Sequence, residues 1–214
     1  MFSNIKKMIP SSWIFGYHLI LVRLAAFWYR HPSEELTVIG VTGTNGKSTT
    51  VALIKQVLSA TGARVGATST ALISDGVEEH LNDLKMTMPG RFQLQKILRR
   101  MVTQGCRYAV IETSSQGILQ SRHRGINYDL AVFTNLTPEH IEAHGGFENY
   151  KNAKLELFRH LARSPRKILA GSALPKSVVV NADDDAAKDF LAIPIGAENS
   201  TLTSKAEDGQ KWIY

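Results

Sequence analysis

The chain has 214 residues, of which 43% are hydrophobic and 21% are charged, the balance of an ordinary globular protein. This composition excludes a disordered, a collagenous and a coiled-coil protein. The single cysteine, Cys106, excludes a disulfide framework and a structural zinc site built on cysteines. No cleavable secretory signal is recognisable, so we expect the protein in the cytoplasm.

The net charge is +6, from 25 basic and 19 acidic residues. A net positive charge favours binding to nucleic acid, to an anionic membrane surface or to a small molecule that carries phosphate. The basic residues are scattered along the chain and lack the interleaved aromatic residues of a nucleic-acid platform. We therefore predict that nucleic acid is not a partner.

Residues 1–35 differ from the rest of the chain and are predicted to form an N-terminal apolar helix and a linker. Within them, residues 13–29 are apolar and aromatic apart from small residues, His18 and Arg23. A helix that spans a membrane needs about 20 apolar residues, and this stretch is shorter and carries an arginine. Two interpretations stay open: peripheral contact with the inner membrane surface, or packing against the domain or an oligomer interface.

Residues 36–214 are predicted to form one α/β domain. Four short runs are apolar on consecutive residues, as in strands that are buried on both faces of a parallel sheet. These runs are Thr37–Thr42, 108–111, Leu130–Phe133 and Ser177–Val180. Between them, apolar residues recur at helical spacing in groups that begin at Val51, Leu94 and Tyr150. Alternating strands and helices predict a doubly wound, mostly parallel sheet.

The first predicted strand leads into the segment Thr-Gly-Thr-Asn-Gly-Lys-Ser-Thr at residues 42–49. The two glycines let successive backbone amides surround one anion, and the helix that follows adds the positive end of its dipole. The lysine can reach the outer phosphates of a nucleotide, and the serine hydroxyl can ligate Mg²⁺. Val41 stands where the usual phosphate-loop pattern has glycine, so this loop is a variant. The predicted nucleotide-binding residues are Gly43, Thr44, Asn45, Gly46, Lys47, Ser48, Thr49 and, after the third run, Asn135.

Three further polar segments lie at or just beyond predicted strand ends, where open α/β sheets bind their ligands. The first begins at Glu112, whose carboxylate is expected beside the phosphate loop and can hold Mg²⁺. The second spans residues 133–146 and contains His140, and the third spans residues 148–158 and contains Lys154. Taken singly, a lone histidine is more often structural than a ligand, and a lysine on a helix is normally solvated.

Together, the loop and these segments resemble the Mur ligase family and its relatives, the folylpolyglutamate and cyanophycin synthetases. The strings Phe-Thr-Asn-Leu, Glu-His, His-Gly, Glu-Asn-Tyr and Ala-Lys within residues 133–154 are similar to those of one branch, the UDP-N-acetylmuramyl-tripeptide synthetases. That branch adds the third residue of the peptidoglycan stem peptide. The resemblance covers about residues 38–184.

The resemblance implies the P-loop NTPase-like fold of the Mur ligase central domain and ATP-dependent ligation of an amino acid to a UDP-MurNAc-dipeptide through an acyl phosphate. It implies that Lys154 is the family's carbamylated lysine, in which CO₂ on a neutral amine gives a carboxylate for a second Mg²⁺. The implied catalytic residues are Lys47, Glu112, His140 and Lys154. The implied metal ligands are Ser48, Glu112, His140 and Lys154, and the implied substrate contacts are Thr87, Ser115 and Arg122.

The sequence departs from the family pattern at positions that bear on substrate choice. Met88 and Gln116 replace a frequent threonine and a frequent histidine, and Glu139 and Glu142 replace aspartates. The segment Asn-Ala-Asp-Asp at residues 181–184 also matches the family, but the sequence assigns it no role.

Two alternative functions stay open at this point. One is another amide ligase of the superfamily, of the cyanophycin or polyglutamate type. The other is a membrane-associated ATP-binding subunit without ligase activity of its own. Because relatives have three domains, we expect a truncated chain without the C-terminal domain, or a partner that supplies the remainder.

Overall fold

The computed structural model describes residues 11–139 and 144–195. The predictions for His140 and Glu142 lie outside the described residues, and so do residues 209–214, whose sequence pattern predicts a strand. The helices are α1 (Ser11–Trp28), α2 (Lys47–Ala60), α3 (Arg91–Thr103), α4 (Ser115–Leu119), α5 (Phe147–Arg163) and α6 (Ala187–Leu191). The strands are β1 (Thr37–Thr42), β2 (Val65–Thr68), β3 (Leu72–Ser74), β4 (Glu79–Leu81), β5 (Tyr108–Glu112), β6 (Leu130–Phe133), β7 (Ile168–Leu169), β8 (Ser172–Ala173) and β9 (Ser177–Val180).

Seven of these strands form one sheet in the order β4-β3-β2-β5-β1-β6-β9. Strands β2, β5, β1, β6 and β9 run parallel, and β3 and β4 add an antiparallel edge. Strands β7 and β8 form a separate antiparallel pair. The predicted doubly wound, mostly parallel sheet is confirmed, and the four predicted strands are all present.

The central parallel strands are covered on both faces, and neighbouring residues of a strand point into opposite core clusters. In β1, Val38 packs into the larger core cluster, which includes residues of α3, α5 and α6. Its neighbour Ile39 packs into the smaller cluster, together with Val51 of α2. Val57 belongs to the apolar group that begins at Val51 and was therefore predicted on the buried face of α2, but it is 66% exposed and lies on the outer side of that helix.

Helix α1 packs against α3 and a 3-10 turn at Arg122–Gly125. Its inward face is formed by Val22, Ala25 and Ala26, which are all buried. The chain then reverses direction through Arg30 and His31, which both have positive φ angles, and enters a second 3-10 turn before β1. Among the described helices, none has both the length and the apolar character that crossing a membrane requires.

A buried ion cluster joins the start of β1 to the segments around the two-stranded hairpin. The carboxylate of Asp129 lies 2.6 Å from the Nζ of Lys167 and 3.3 Å from the Nζ of Lys176. It also accepts a hydrogen bond of 2.8 Å from the backbone amide of Val38. Burial lowers the pKa of both lysines, and the charge of Asp129 opposes that shift.

Candidate active site

The loop between β1 and α2 requires glycine at two positions, one because of a close contact and the other because of its backbone angle. A Cβ atom at Gly43 would lie 1.9 Å from the Oγ1 of Thr134, so any side chain there would collide with the neighbouring loop. Gly46 has a φ of 77° immediately before the first residue of α2, a conformation that other residues adopt with strain. The amides at the start of α2 are therefore presented at the carboxyl end of β1, as an anion site requires.

Lys47 starts α2 and turns back over the loop. Its Nζ donates a hydrogen bond of 2.6 Å to the carbonyl oxygen of Thr44. Burial lowers the pKa of Lys47, while the nearby carboxylates of Glu112 and Glu139 oppose that shift. The result is a half-buried cation held at the mouth of the loop.

The loop that follows β6 supports the phosphate loop through several hydrogen bonds. The backbone amide of Thr44 donates to the carbonyl oxygen of Asn135, and the amide of Asn45 donates to the Oδ1 of Asn135, both at 2.8 Å. The hydroxyl of Thr134 donates to the carbonyl oxygen of Asn45 at 2.7 Å. Asn135, predicted to bind nucleotide, thus acts in this structure as a brace for the loop.

The Asn-Ala-Asp-Asp segment beyond β9 holds that supporting loop in turn. The side-chain amide of Asn181 donates to the carbonyl oxygen of Thr134 at 2.9 Å. The carboxylate of Asp184 accepts from the backbone amide of Leu136 at 2.7 Å. The segment thus has a structural role that the sequence did not reveal. It holds the loop after β6 in place, and that loop supports the phosphate loop.

Glu112, the last residue of β5, is 2% exposed and faces the phosphate loop. The hydroxyl of Ser48 donates to its Oε2 at 2.6 Å, and the backbone amide of Thr70 donates to the same oxygen at 2.8 Å. The hydroxyl of Thr70 lies 3.2 Å from the Oε1 of Glu112 and 2.9 Å from the hydroxyl oxygen of Thr87. Thr70 therefore links the carboxylate to a predicted substrate contact.

The pairing of Ser48 with Glu112 fits a magnesium ion. Mg²⁺ binds hydroxyl and carboxylate oxygens, keeps several waters, and usually takes further ligands from substrate phosphates. A protein site for it therefore needs only one or two side chains beside a phosphate loop, as here. Within residues 11–139 and 144–195, no group of three His, Cys, Asp or Glu side chains is placed to hold a metal.

Lys154, on α5, is 1% exposed, and its Nζ donates a hydrogen bond of 2.6 Å to the carbonyl oxygen of Gly43. The Nζ also lies 4.2 Å from the centre of the Tyr150 ring, whose hydroxyl donates to the hydroxyl of Thr44. Burial, followed by repulsion from Lys47, lowers the pKa of Lys154 to about 7. A large fraction of this amine is therefore neutral at physiological pH.

A cavity of about 480 Å³ opens beside the phosphate loop. The predicted site residues that line it are Gly43, Thr44, Lys47, Thr87, Ser115, Arg122 and Lys154. No aspartate or glutamate is among its described lining residues, so its charged side chains are cations. The cavity is therefore suited to an anionic ligand.

The predicted substrate residues Thr87, Ser115 and Arg122 all line this cavity. The hydroxyl of Ser115 lies 3.1 Å from the Nε2 of His144. Arg122 donates to the carbonyl oxygen of Met88 and, at 2.6 Å, to the side chain of Gln120. Burial and the nearby charge of Arg91 lower the pKa of Arg122. Met88 thus contributes a backbone carbonyl where the sequence lacks the usual threonine hydroxyl.

Sequence reasoning missed two residues of this site, Thr70 and Tyr150. Thr70 lies in the connection between β2 and β3, and no motif identifies it. Tyr150 was assigned only to the buried face of a helix, a role that its burial supports. The side chain of Asn45 donates to Glu139 at 3.0 Å, so one of the atypical glutamates reaches the loop. Thr49 is exposed on the first turn of α2.

Comparison with known proteins gives one consistent result. Residues 41–214 match the family described as the Mur ligase middle domain. A UDP-N-acetylmuramyl-tripeptide synthetase of Roseiflexus sp. (strain RS-1) is 38% identical over 201 residues, which are 92% of this chain and 39% of that protein. A UDP-N-acetylmuramoyl-L-alanyl-D-glutamate--2,6-diaminopimelate ligase of Chlorobaculum tepidum is 40% identical over 188 residues, covering 88% of this chain and 34% of the relative.

A solved structure of a UDP-N-acetylmuramoyl-L-alanyl-D-glutamate--2,6-diaminopimelate ligase has the same arrangement, with a TM-score of 0.63 and 28% identity. The similarity covers 81% of this chain and 33% of that one. The chain thus spans between a third and two fifths of the length of these relatives. The family match, which includes the phosphate loop, Glu112 and Lys154, establishes that the chain belongs to the Mur ligase family.

Proposed function

We propose that this chain forms the ATP-binding part of an ATP-dependent ligase that adds an amino acid to a UDP-MurNAc-dipeptide in peptidoglycan precursor synthesis. The observation that carries the proposal is the convergence of Lys47 and Lys154 on the loop after β1, beside a cavity whose described lining residues include no aspartate or glutamate. The names of the relatives at 38% and 40% identity support the substrate and the reaction. ATP and nucleotide-linked sugars are cytoplasmic compounds, so we place the reaction in the cytoplasm.

The proposed chemistry follows from the poor electrophilicity of a carboxylate. The substrate carboxylate attacks the γ-phosphorus of ATP, ADP leaves, and an acyl phosphate forms. The amino group of the incoming amino acid then attacks the acyl carbon, inorganic phosphate leaves, and the nitrogen loses a proton. The contribution of this chain is alignment and charge neutralisation by Lys47 and the loop amides. Magnesium, held by Ser48 and Glu112, would polarise the phosphate oxygens.

We further propose that Lys154 is carbamylated. Addition of CO₂ requires the neutral amine, and a pKa of about 7 provides it at physiological pH. The new N–C bond forms with loss of one proton, and the product is a carboxylate beside the carbonyl of Gly43. A buried cation next to Lys47 thereby becomes an anion, which removes the repulsion between the two amines and supplies oxygen ligands for a second Mg²⁺. His140 is proposed to assist that metal.

The wall formed by Thr87, Ser115 and Arg122 is proposed to hold the UDP-MurNAc-dipeptide. Arg122 is half-buried and bonds a carbonyl and an amide oxygen, and among the described residues that line the cavity no carboxylate pairs with its charge. An anionic group of the substrate would supply that partner. These residues line the same cavity as Lys47, so the substrate carboxylate is proposed to face the terminal phosphate there.

Isothermal titration calorimetry of the full chain with a non-hydrolysable ATP analogue tests the nucleotide part. We expect binding that needs Mg²⁺ and that Lys47→Ala weakens at least about tenfold, because one charge-assisted contact is lost. Lys96→Ala removes an exposed lysine on α3 and should bind as the parent chain does. Absence of Mg²⁺-dependent binding by folded protein would contradict the proposal.

Acceptor specificity separates the proposed ligase from the two alternatives. Phosphate release from ATP should depend on UDP-MurNAc-dipeptide and should not respond to polyglutamate or cyanophycin primers. Stimulation by either primer would identify the other type of superfamily ligase. ATP binding with no stimulation by any acceptor, even in the presence of the neighbouring gene products, would favour a binding subunit.

A further inference from the structure

Helix α1 exposes a continuous apolar stripe along the side that faces away from the domain. From Trp13 to Leu24 the stripe residues follow one another at intervals of three or four, and Phe27 and Trp28 lie three and four positions beyond Leu24, which places them on one face of a helix. They are Trp13, Tyr17, Ile20, Leu24, Phe27 and Trp28. Each is between 52% and 76% exposed, although apolar side chains of this size are normally covered in a folded chain.

The opposite face of the same helix is fixed on the domain by Val22, Ala25 and Ala26. The helix is therefore apolar on both sides, and only one side is covered. A helix that is apolar all round is normally buried all round. Because the inner face of α1 is packed on the domain, a binding partner that covers the stripe must contact the outer side of the helix along its length.

The charged residues of α1 and of the chain before it have one sign, and the first acidic residues, Glu34 and Glu35, follow after the turn at Arg30 and His31. The first 33 residues contain four basic side chains, Lys6, Lys7, Arg23 and Arg30, and no aspartate or glutamate. On the described part of the helix, Arg23 is exposed and Arg30 follows the last turn. An apolar face bordered by cations is complementary to a surface that is apolar inside and anionic outside.

The composition of the stripe separates a lipid surface from a second copy of the chain. Four of its six residues are aromatic, and tryptophan and tyrosine are the residues enriched at membrane–water interfaces. Two copies of α1 packed along their stripes would bring the same positive charges together with no acidic residue of the helix to offset them. The aromatic content and the single sign of charge both favour lipid.

We propose that α1 docks on an anionic lipid bilayer, with its axis parallel to the surface and its stripe among the headgroups. The domain then sits on the bilayer with α1 as its contact element, independently of whether it carries ligase activity. Membrane affinity should come from the stripe and from electrostatic attraction, so it should fall as ionic strength rises.

Co-sedimentation with lipid vesicles tests this docking. The full chain should pellet with vesicles of equal parts phosphatidylglycerol and phosphatidylcholine, and much less with phosphatidylcholine alone. The double variant Ile20→Glu/Leu24→Glu changes two exposed residues and should lower the partition coefficient at least about tenfold. The matched control, Val57→Glu/Leu81→Glu, makes the same charge change at exposed residues on α2 and β4 and should bind as the parent does.

Tryptophan fluorescence gives a second readout. The chain has three tryptophans, and Trp212→Phe leaves the two stripe residues as reporters. Their emission should shift to shorter wavelength when anionic vesicles are added. Nucleotide binding by the same samples shows that each variant is folded and keeps this test separate from the proposed ligase function.

Two results would overturn the docking proposal. One is equal vesicle binding by the parent and the Ile20→Glu/Leu24→Glu variant. The other is no vesicle binding by the parent, together with a lipid-free dimer in light scattering that this variant converts to a monomer. The second result would assign the stripe to another copy of the chain.

Discussion

The side-chain nitrogen of Lys154 lies 2.6 Å from the carbonyl oxygen of Gly43, a residue 111 positions earlier in the chain. This contact joins α5 to the phosphate loop and buries an amine beside a second lysine. Because its pKa is about 7, the amine changes charge in the physiological range. Two predictions concern this group.

The first is that Lys154 takes up CO₂ as a function of pH. With ¹³C-labelled bicarbonate, the protein should show a carbamate signal at pH 8 that is largely lost at pH 6, where the amine is protonated. Lys154→Ala should lack the signal, and Lys188→Ala, which removes a lysine of α6, should keep it. A signal of equal size in the Lys154→Ala protein would refute the assignment.

The second prediction concerns stability in CO₂-free buffer. The pKa of Lys154 is lowered from 10.5 in the unfolded chain to about 7 in the folded one, so between these values the unfolded chain binds more protons. The free energy of unfolding should therefore rise with pH in this window. Between pH 7 and pH 9, the free energy of unfolding of the parent, measured by urea titration, should rise by about 2 kcal/mol more than that of Lys154→Met. Parallel curves for the two proteins would show that burial does not shift this pKa.

Loss of either Lys47 or Glu112 should abolish most of the proposed turnover. Lys47→Ala removes a cation from the phosphates, and Glu112→Ala removes the carboxylate that holds Ser48. Each should reduce acceptor-dependent phosphate release by more than about a hundredfold, the scale of losing one transition-state contact. Near-normal turnover in either folded variant would disprove the corresponding role.

Because Gly43 lies close to Thr134, replacing it with alanine should destabilise the protein much more than the same replacement at Gly16. Gly43→Ala introduces a Cβ atom 1.9 Å from the Thr134 hydroxyl and should lower the free energy of unfolding by more than about 2 kcal/mol. Gly16→Ala, on α1, meets no atom within 4 Å and should be neutral or stabilising by up to about 1 kcal/mol. Equal effects of the two changes in denaturant titrations would contradict the loop geometry.

The Asp129 cluster predicts a large loss of stability from a change that removes one charge. Asp129→Asn removes the carboxylate that forms ion pairs with the buried Lys167 and Lys176 and should cost about 3–5 kcal/mol. Glu78→Gln removes the exposed partner of Arg100 and should cost less than about 1 kcal/mol. Chemical denaturation measures both, and a small effect at Asp129 would mean that the lysines find other partners.

Four of the five parallel strands, β1, β5, β6 and β9, were predictable because each carries an apolar run. The antiparallel edge could not be predicted. Strands β3 and β4 have three residues each, and all of β4 is exposed, so their sequences carry no pattern of buried apolar residues. Strand β2 was missed because its residues, Val-Gly-Ala-Thr, include small side chains with little strand preference.

Within the candidate site, the residues that carry a motif could be predicted and the residues that support them could not. The contact between Ser48 and Glu112 follows from two motifs at adjacent strand ends. Thr70 reaches the same carboxylate from a connection with no motif, and only the folded chain brings it there. The brace formed by Asn135 likewise depends on side-chain orientation, which spacing along the sequence does not determine.

The relay from Asp184 and Asn181 through the loop after β6 to Asn45 has a thermodynamic consequence. Part of the binding free energy of the nucleotide should order the segment after the outer strand β9 as well as the phosphate loop, because these hydrogen bonds connect the two. Amide exchange at residues 181–186 should therefore slow when a nucleotide binds. By reciprocity, any partner that steadies that border of the sheet should tighten the hold on the nucleotide.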